Sequence, residues 1–85
     1  MDTHWYFWEN AVGRHGVTLD EVEEALAHIV EEQIVEEQIQ PEGRRRVWGW
    51  VADRKKYFRV IFLPDGQLFN AFPDSPYTKK RGSPL

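Results

Sequence analysis

The stretch RRRVWGWVADRKKYFRVIFLPDGQLFNAF, residues 44–72, decides the fold. Its middle, YFRVIFL over 57–63, is β-branched and aromatic with polar turns on both sides, the composition of a strand. Upstream, RRRVWGWVA over 44–52 reads as a second strand, and Asp53-Arg-Lys-Lys56 as the turn between the two. Downstream, Pro64-Asp-Gly66 is a turn in which Pro presets φ and Gly supplies the positive φ. Gln67–Phe72 then returns as a last strand. Strands joined by such short turns pair as an antiparallel meander.

Strand alternation assigns the faces. Arg44, Arg46, Trp48 and Trp50 share one, while Arg45, Val47 and Val51 share the other. Arg59 has the parity of Tyr57 and Ile61. A Val-rich face suits packing on a helix, which leaves Arg44 and Arg46 beside exposed tryptophans.

The helix for that face lies upstream. Thr18-Leu-Asp-Glu21 is a capping-box arrangement, followed by Leu19, Val22, Leu26 and Ile29 at helical spacing. Asp20, Glu21, Glu23 and Glu24 sit in its first turns, where the helix dipole favours acids. A helix over about 19–31 follows. In HWYFWENAV, residues 4–12, Trp5, Trp8 and Val12 fall at i, i+3 and i+7, which favours a first helix ended by Gly13 and Gly16. The helical stripe fails in EEQIVEEQI, residues 31–39, so a strand over about 34–39 is expected, with a continuing helix as the alternative. Pro41-Glu-Gly43 is a turn signal, and PDSPYTKKRGSPL from Pro73 onward reads as a loosely held tail. The expected fold is α+β: one or two N-terminal helices packed on an antiparallel sheet of three to four strands. It forms a single domain over 1–76 with a basic flexible tail over 77–85.

Composition narrows the chemistry. The 85 residues include no cysteine, which excludes disulfides, thiolate metal sites and a Cys nucleophile, and fits a cytoplasmic protein. No apolar run suits a membrane span, and Met1-Asp-Thr-His4 lacks the features of a signal peptide. His4, His15 and His28 have no ligand spacing, and phosphate-loop and dinucleotide motifs are missing, so neither metal nor cofactor is expected.

The charges are segregated. Residues 1–42 hold eleven of the fourteen acids and one base, Arg14, for a net −10, whereas residues 43–85 carry a net +7. The basic half is also rich in rings, and cations mixed with aromatics are what single-stranded nucleic acid requires. RNA cleavage fits these side chains, because the substrate's own 2′-OH is the nucleophile. The protein need only orient it, move protons and stabilise charge on the phosphate. Phosphate and base contacts are expected from Arg44, Trp48, Trp50, Lys55, Lys56, Arg59, Lys79 and Lys80, with Arg45 and Arg81 in the same basic set. Arg46 and Arg54 are candidates to hold the scissile phosphate, and His15 or Tyr77 to move protons. The competing expectation is a non-catalytic RNA- or protein-binding domain, with acidic helix and basic sheet as two docking faces, or meeting in a homodimer.

The segment Arg14-His-Gly-Val-Thr-Leu-Asp-Glu-Val-Glu-Glu-Ala-Leu26 resembles the opening helix of the BrnT-like toxins, a branch of the RelE/ParE group, in which a basic residue, His-Gly and a capping Ser or Thr precede a Glu. Arg46-Val-Trp-Gly49, Arg54 with Val60-Ile-Phe62, and Asn70-Ala-Phe-Pro73 are similar to later strands and turns of that family. The resemblance implies a RelE-like fold, translation inhibition by mRNA cleavage, on the ribosome or off it, and neutralisation by an antitoxin protein. It implies site roles for Arg46, Arg54 and His15. The chain departs from the pattern at Asn70, where Ser or Thr is usual, and at Phe72, where Arg is frequent. A downstream Glu-Arg pair is missing.

Overall fold

The computed structural model describes residues 1–35 and 43–84. Four strands, β1 (Ile29–Val35), β2 (Arg44–Val51), β3 (Lys56–Phe62) and β4 (Leu68–Pro73), form an antiparallel sheet in the order β1-β2-β3-β4. Helix α1 (Leu19–Ala27) and a short π-helix (Phe7–Val12) pack on one face, and α2 (Ser75–Arg81) lies on the other. This is the α+β meander expected from residues 44–72. No helix among the described residues is long and apolar enough to cross a membrane.

The first face is the one alternation assigns to the core. Val47 pairs with Val60 and Gly49 with Phe58, and all but the glycine bury apolar side chains against Val22 and Ala25 of α1. Gly49 is the contact point. A β-carbon built there would lie 1.8 Å from the Ala25 carbonyl oxygen, so only glycine lets α1 cross β2 this closely. The capping box forms as expected: the Thr18 hydroxyl accepts from the Glu21 amide, and Glu21 Oε1 accepts from the Thr18 amide.

Three expectations are corrected. Helix α1 ends at Ala27 rather than at 31, because Ile29 pairs with Gly49 and the β-branched Ile29-Val30 enters β1 instead. The strand expected over 34–39 therefore begins earlier; its part beyond Val35, with most of the Pro41–Gly43 turn, lies outside the described residues. The first helix exists, but Phe7 and Ala11 are its buried residues, while Trp5 and Trp8 are exposed. The Gly13 amide reaches back to the Trp8 carbonyl, five residues away, and with this wider winding Trp5 and Trp8 face away from the core while Val12 still packs against it.

The largest departure is at the C-terminus. Residues 75–81, expected as a loosely held tail, form α2. Asp74 caps it by accepting from the Tyr77 amide, Pro76 sits in its first turn, and Gly82 ends it at φ 80°. Three bonds join it to β3: the Asp74 amide donates to the Tyr57 carbonyl (2.8 Å), the Tyr57 amide to Thr78 Oγ1 (2.9 Å), and the Tyr57 hydroxyl to the Gly82 carbonyl (2.8 Å). The sheet is thus covered on both faces, and α2 shapes what the second face can bind.

Candidate nucleic-acid interface

On the second face the Tyr77 ring stacks on Trp48, with centroids 5.1 Å apart and planes 16° from parallel. Trp48 is consequently only 4% exposed, and Trp50 is half-buried edge-on to Tyr57. The expectation of exposed tryptophans beside the arginines is therefore wrong, although the face assignment is right. The Trp48 indole donates to Asp74 Oδ2 at 2.9 Å, and Arg59 gives the same oxygen bonds of 3.1 Å from Nε and 3.0 Å from Nη2. Burial pushes the Asp74 carboxyl upward. The Trp48 indole, the Tyr77 amide and Arg59 outweigh it and hold the group below the usual carboxylate range. Arg59 also lies over the Trp48 and Phe72 rings, 5.3 Å from each centroid.

Between α2 and β1 opens a cleft of about 480 Å³, lined by Glu31, Gln33, Arg46, Trp48, Arg59, Tyr77, Lys80 and Arg81. Four cations thus surround one carboxylate. The Tyr77 hydroxyl donates to Glu31 Oε1 at 2.7 Å, while Gln33 donates to Glu31 Oε2 at 2.6 Å. The Tyr77 bond, followed by that from Gln33, holds the Glu31 carboxyl below its usual range. Burial, then the bond to Glu31, raises the Tyr77 phenol above its usual range, so it carries its proton at neutral pH. Arg81 lies 3.9 Å from Glu31 and donates to the Tyr77 oxygen at 3.3 Å. Among the described residues Arg46 makes no ion pair, and its Nε is buried without a hydrogen-bond partner. A buried guanidinium donor left unbonded is costly, and the side chain lines the cleft, where an anion would meet its charge.

The candidates named from sequence do not all converge here. Arg46, Arg59, Tyr77 and Lys80 line the cleft with Trp48, but His15 and Arg54 do not. Arg54 binds Glu21 through Nε (2.6 Å) and Nη2 (3.2 Å), reaches the Gly16 carbonyl at 3.2 Å, and covers the Phe58 ring on the α1 face. It is a brace for the capping box. His15 is exposed in the turn before α1. Lys56 donates to Ser75 Oγ at 2.7 Å and so ties β3 to the start of α2. Lys55 is exposed at a turn position with φ 53°, and Lys79 is exposed on α2. Arg44 lies over Phe69 at 4.7 Å, and Arg45 pairs with Glu32 across β1 and β2.

Glu31, Gln33 and Asp74 escaped sequence reading as site residues. An Asp two positions before a Pro in a basic run was a readable helix-start signal for Asp74. Glu31 and Gln33 were hidden because Glu31 closes the expected helix, so their common strand parity went unseen. No protein-family model, curated protein or solved structure matches the chain.

Proposed function

We propose that this protein is a toxin-like, metal-independent endoribonuclease acting on mRNA and held in check by an antitoxin protein, with the cleft between α2 and β1 as its site. The observation that carries the reading is Arg46, a cation with no counter-ion among the described residues, in the lining of a cleft whose other cations are Arg59, Lys80 and Arg81. A phosphodiester supplies the anion this arrangement lacks, and planar guanidinium groups suit a phosphate whose charge grows during reaction.

The proton steps fall to the Tyr77–Glu31 pair. The RNA 2′-oxygen attacks phosphorus as Glu31 accepts its proton. The bond to the 5′-oxygen breaks as that oxygen takes the proton of Tyr77. The products are a 2′,3′-cyclic phosphate and a 5′-hydroxyl. Transfer of the proton from Glu31 to Tyr77 along their 2.7 Å hydrogen bond then restores both groups. Incubation of the purified protein with RNA in EDTA tests this. Cleavage to those ends, strongly slowed in Tyr77→Phe and lost in Arg46→Ala, is expected. RNA left intact, free and on translating ribosomes, overturns it.

One observation favours a second reading, in which RNA is bound and not cut: the Glu31 carboxyl is held low, which makes it a weak base. Binding that weakens steeply with salt, without turnover, would distinguish that case.

A further inference from the structure

We infer that the second sheet face extends beyond the cleft into a track for single-stranded RNA, with the indole of Trp5 as the stacking platform for a base outside the cleft. This rests on the reading of the cleft as a site for an RNA phosphate.

Trp5 is 64% exposed, yet its surroundings are fixed. The His4 amide donates to the Leu68 carbonyl and the Leu68 amide to the Asp2 carbonyl, each at 2.8 Å, which clamps the chain before Trp5 to β4. After it, Tyr6 stacks on Phe69 with centroids 4.7 Å apart and planes 13° from parallel. The His4 ring lies 5.3 Å from both Trp5 and Phe69, and its Nδ1 accepts from the Tyr6 amide. An indole this large is ordinarily placed where water does not reach it. Here a rigid frame of rings presents it to solvent, and the ordering cost of a binding platform is already met in the fold.

The frame is continuous with the cleft. Phe69 carries the guanidinium of Arg44 at 4.7 Å, and Arg44 shares its β2 face with Arg46 and Trp48. From Arg44 to Trp48 is ~13 Å along the strand. Arg44, Phe69 and His4 stand between Arg46 and Trp5, so the path from cleft to platform calls for a chain of several nucleotides. Stacking on an aromatic side chain is tolerant of base identity, and the phosphates between would follow the cationic face. This charge complementarity, together with the continuity, selects single-stranded RNA over an apolar protein surface as the occupant.

Binding of 2′-O-methyl oligouridylates of three and eight nucleotides, which cannot be cleaved, tests the track by fluorescence anisotropy. The wild type should bind the eight-mer more tightly than the three-mer. Trp5→Ala should lose roughly tenfold on the eight-mer, in the range for one base stacked on an aromatic ring. It should bind the three-mer as the wild type does, and Trp5→Phe should restore most of the loss. Arg46→Ala should weaken both lengths. Equal effects of Trp5→Ala on both lengths, or none on either, overturn the track and leave the cleft reading standing. Failure of both oligonucleotides to bind the wild type, or indifference of the three-mer to Arg46→Ala, removes the cleft reading and the track with it.

Discussion

Asp74 Oδ2 accepts the indole proton of Trp48 at 2.9 Å, while Oδ1 of the same carboxylate caps α2 at the Tyr77 amide. One side chain, itself 4% exposed, therefore starts the helix, orients the ring beneath it and holds Arg59 at the cleft. Substituting Asp74→Ala leaves a buried indole N–H and a guanidinium without their acceptor and removes the cap. The expected loss is about 2–4 kcal/mol. Asp74→Asn keeps one acceptor oxygen, enough for the cap or for the indole but not for both, and loses the charge opposite Arg59; it should fall between. Chemical denaturation followed by tryptophan fluorescence measures both.

The same carboxylate makes stability depend on acid. Its folded pKa lies below the ordinary carboxylate value, so the unfolded chain binds the proton more readily. The stabilisation is present above about pH 4, the unfolded value, and is lost as pH falls through the folded one. Wild type should thus lose stability in that range more steeply than Asp74→Asn, which has no carboxyl there to titrate. Parallel curves for the two proteins would show that other groups govern the acid limb.

Much of this fold was legible because neighbouring signals agreed. Val47, Val51 and Val60 alternate on the side that α1 covers, and the Thr18–Glu21 box marks where α1 begins. The remainder was hidden where local pattern and tertiary packing diverge. Asp74 and Pro76 carry a helix-start signal, but the run 75–81 still looks like a tail, since nothing in seven residues shows that Tyr77 will stack on Trp48 twenty-nine positions earlier. The site followed the same division. Parity placed Arg46 with Trp48 and Arg59 with Tyr57, and the register of β2 on β3 puts the two arginines on one face, whereas Arg54 looked equally cationic and proved to be held by Glu21 on the other side of the sheet. A charged side chain does not announce its partner from sequence.

Gly49 provides a test of how α1 is seated. A methyl group at this position meets the Ala25 backbone, which cannot move aside without lifting the helix from β2. Gly49→Ala should cost about 3 kcal/mol or more, at the upper end for overpacking, because the obstacle is backbone and not a flexible side chain. A melting temperature within a few degrees of wild type would mean that α1 shifts along the sheet with little cost.

Arg46 and Arg54 look alike in the sequence and differ in what holds them. Arg46 is without an ion-pair partner among the described residues, so Arg46→Ala removes an unsatisfied buried donor and should leave the melting temperature unchanged or slightly raised. RNA binding should weaken, and the slope of log affinity against log salt should fall by about 0.7, the contribution of one phosphate contact on a single strand. Arg54 is bonded to Glu21 and Gly16 at the start of α1, away from the cleft. Its ion pair is partly exposed and worth no more than about 1 kcal/mol. Arg54→Ala should therefore lower stability modestly while leaving RNA affinity and its salt slope as they were. The reverse pattern, with binding lost at Arg54 and kept at Arg46, would move the RNA to the α1 face and take the Tyr77–Glu31 pair out of the chemistry.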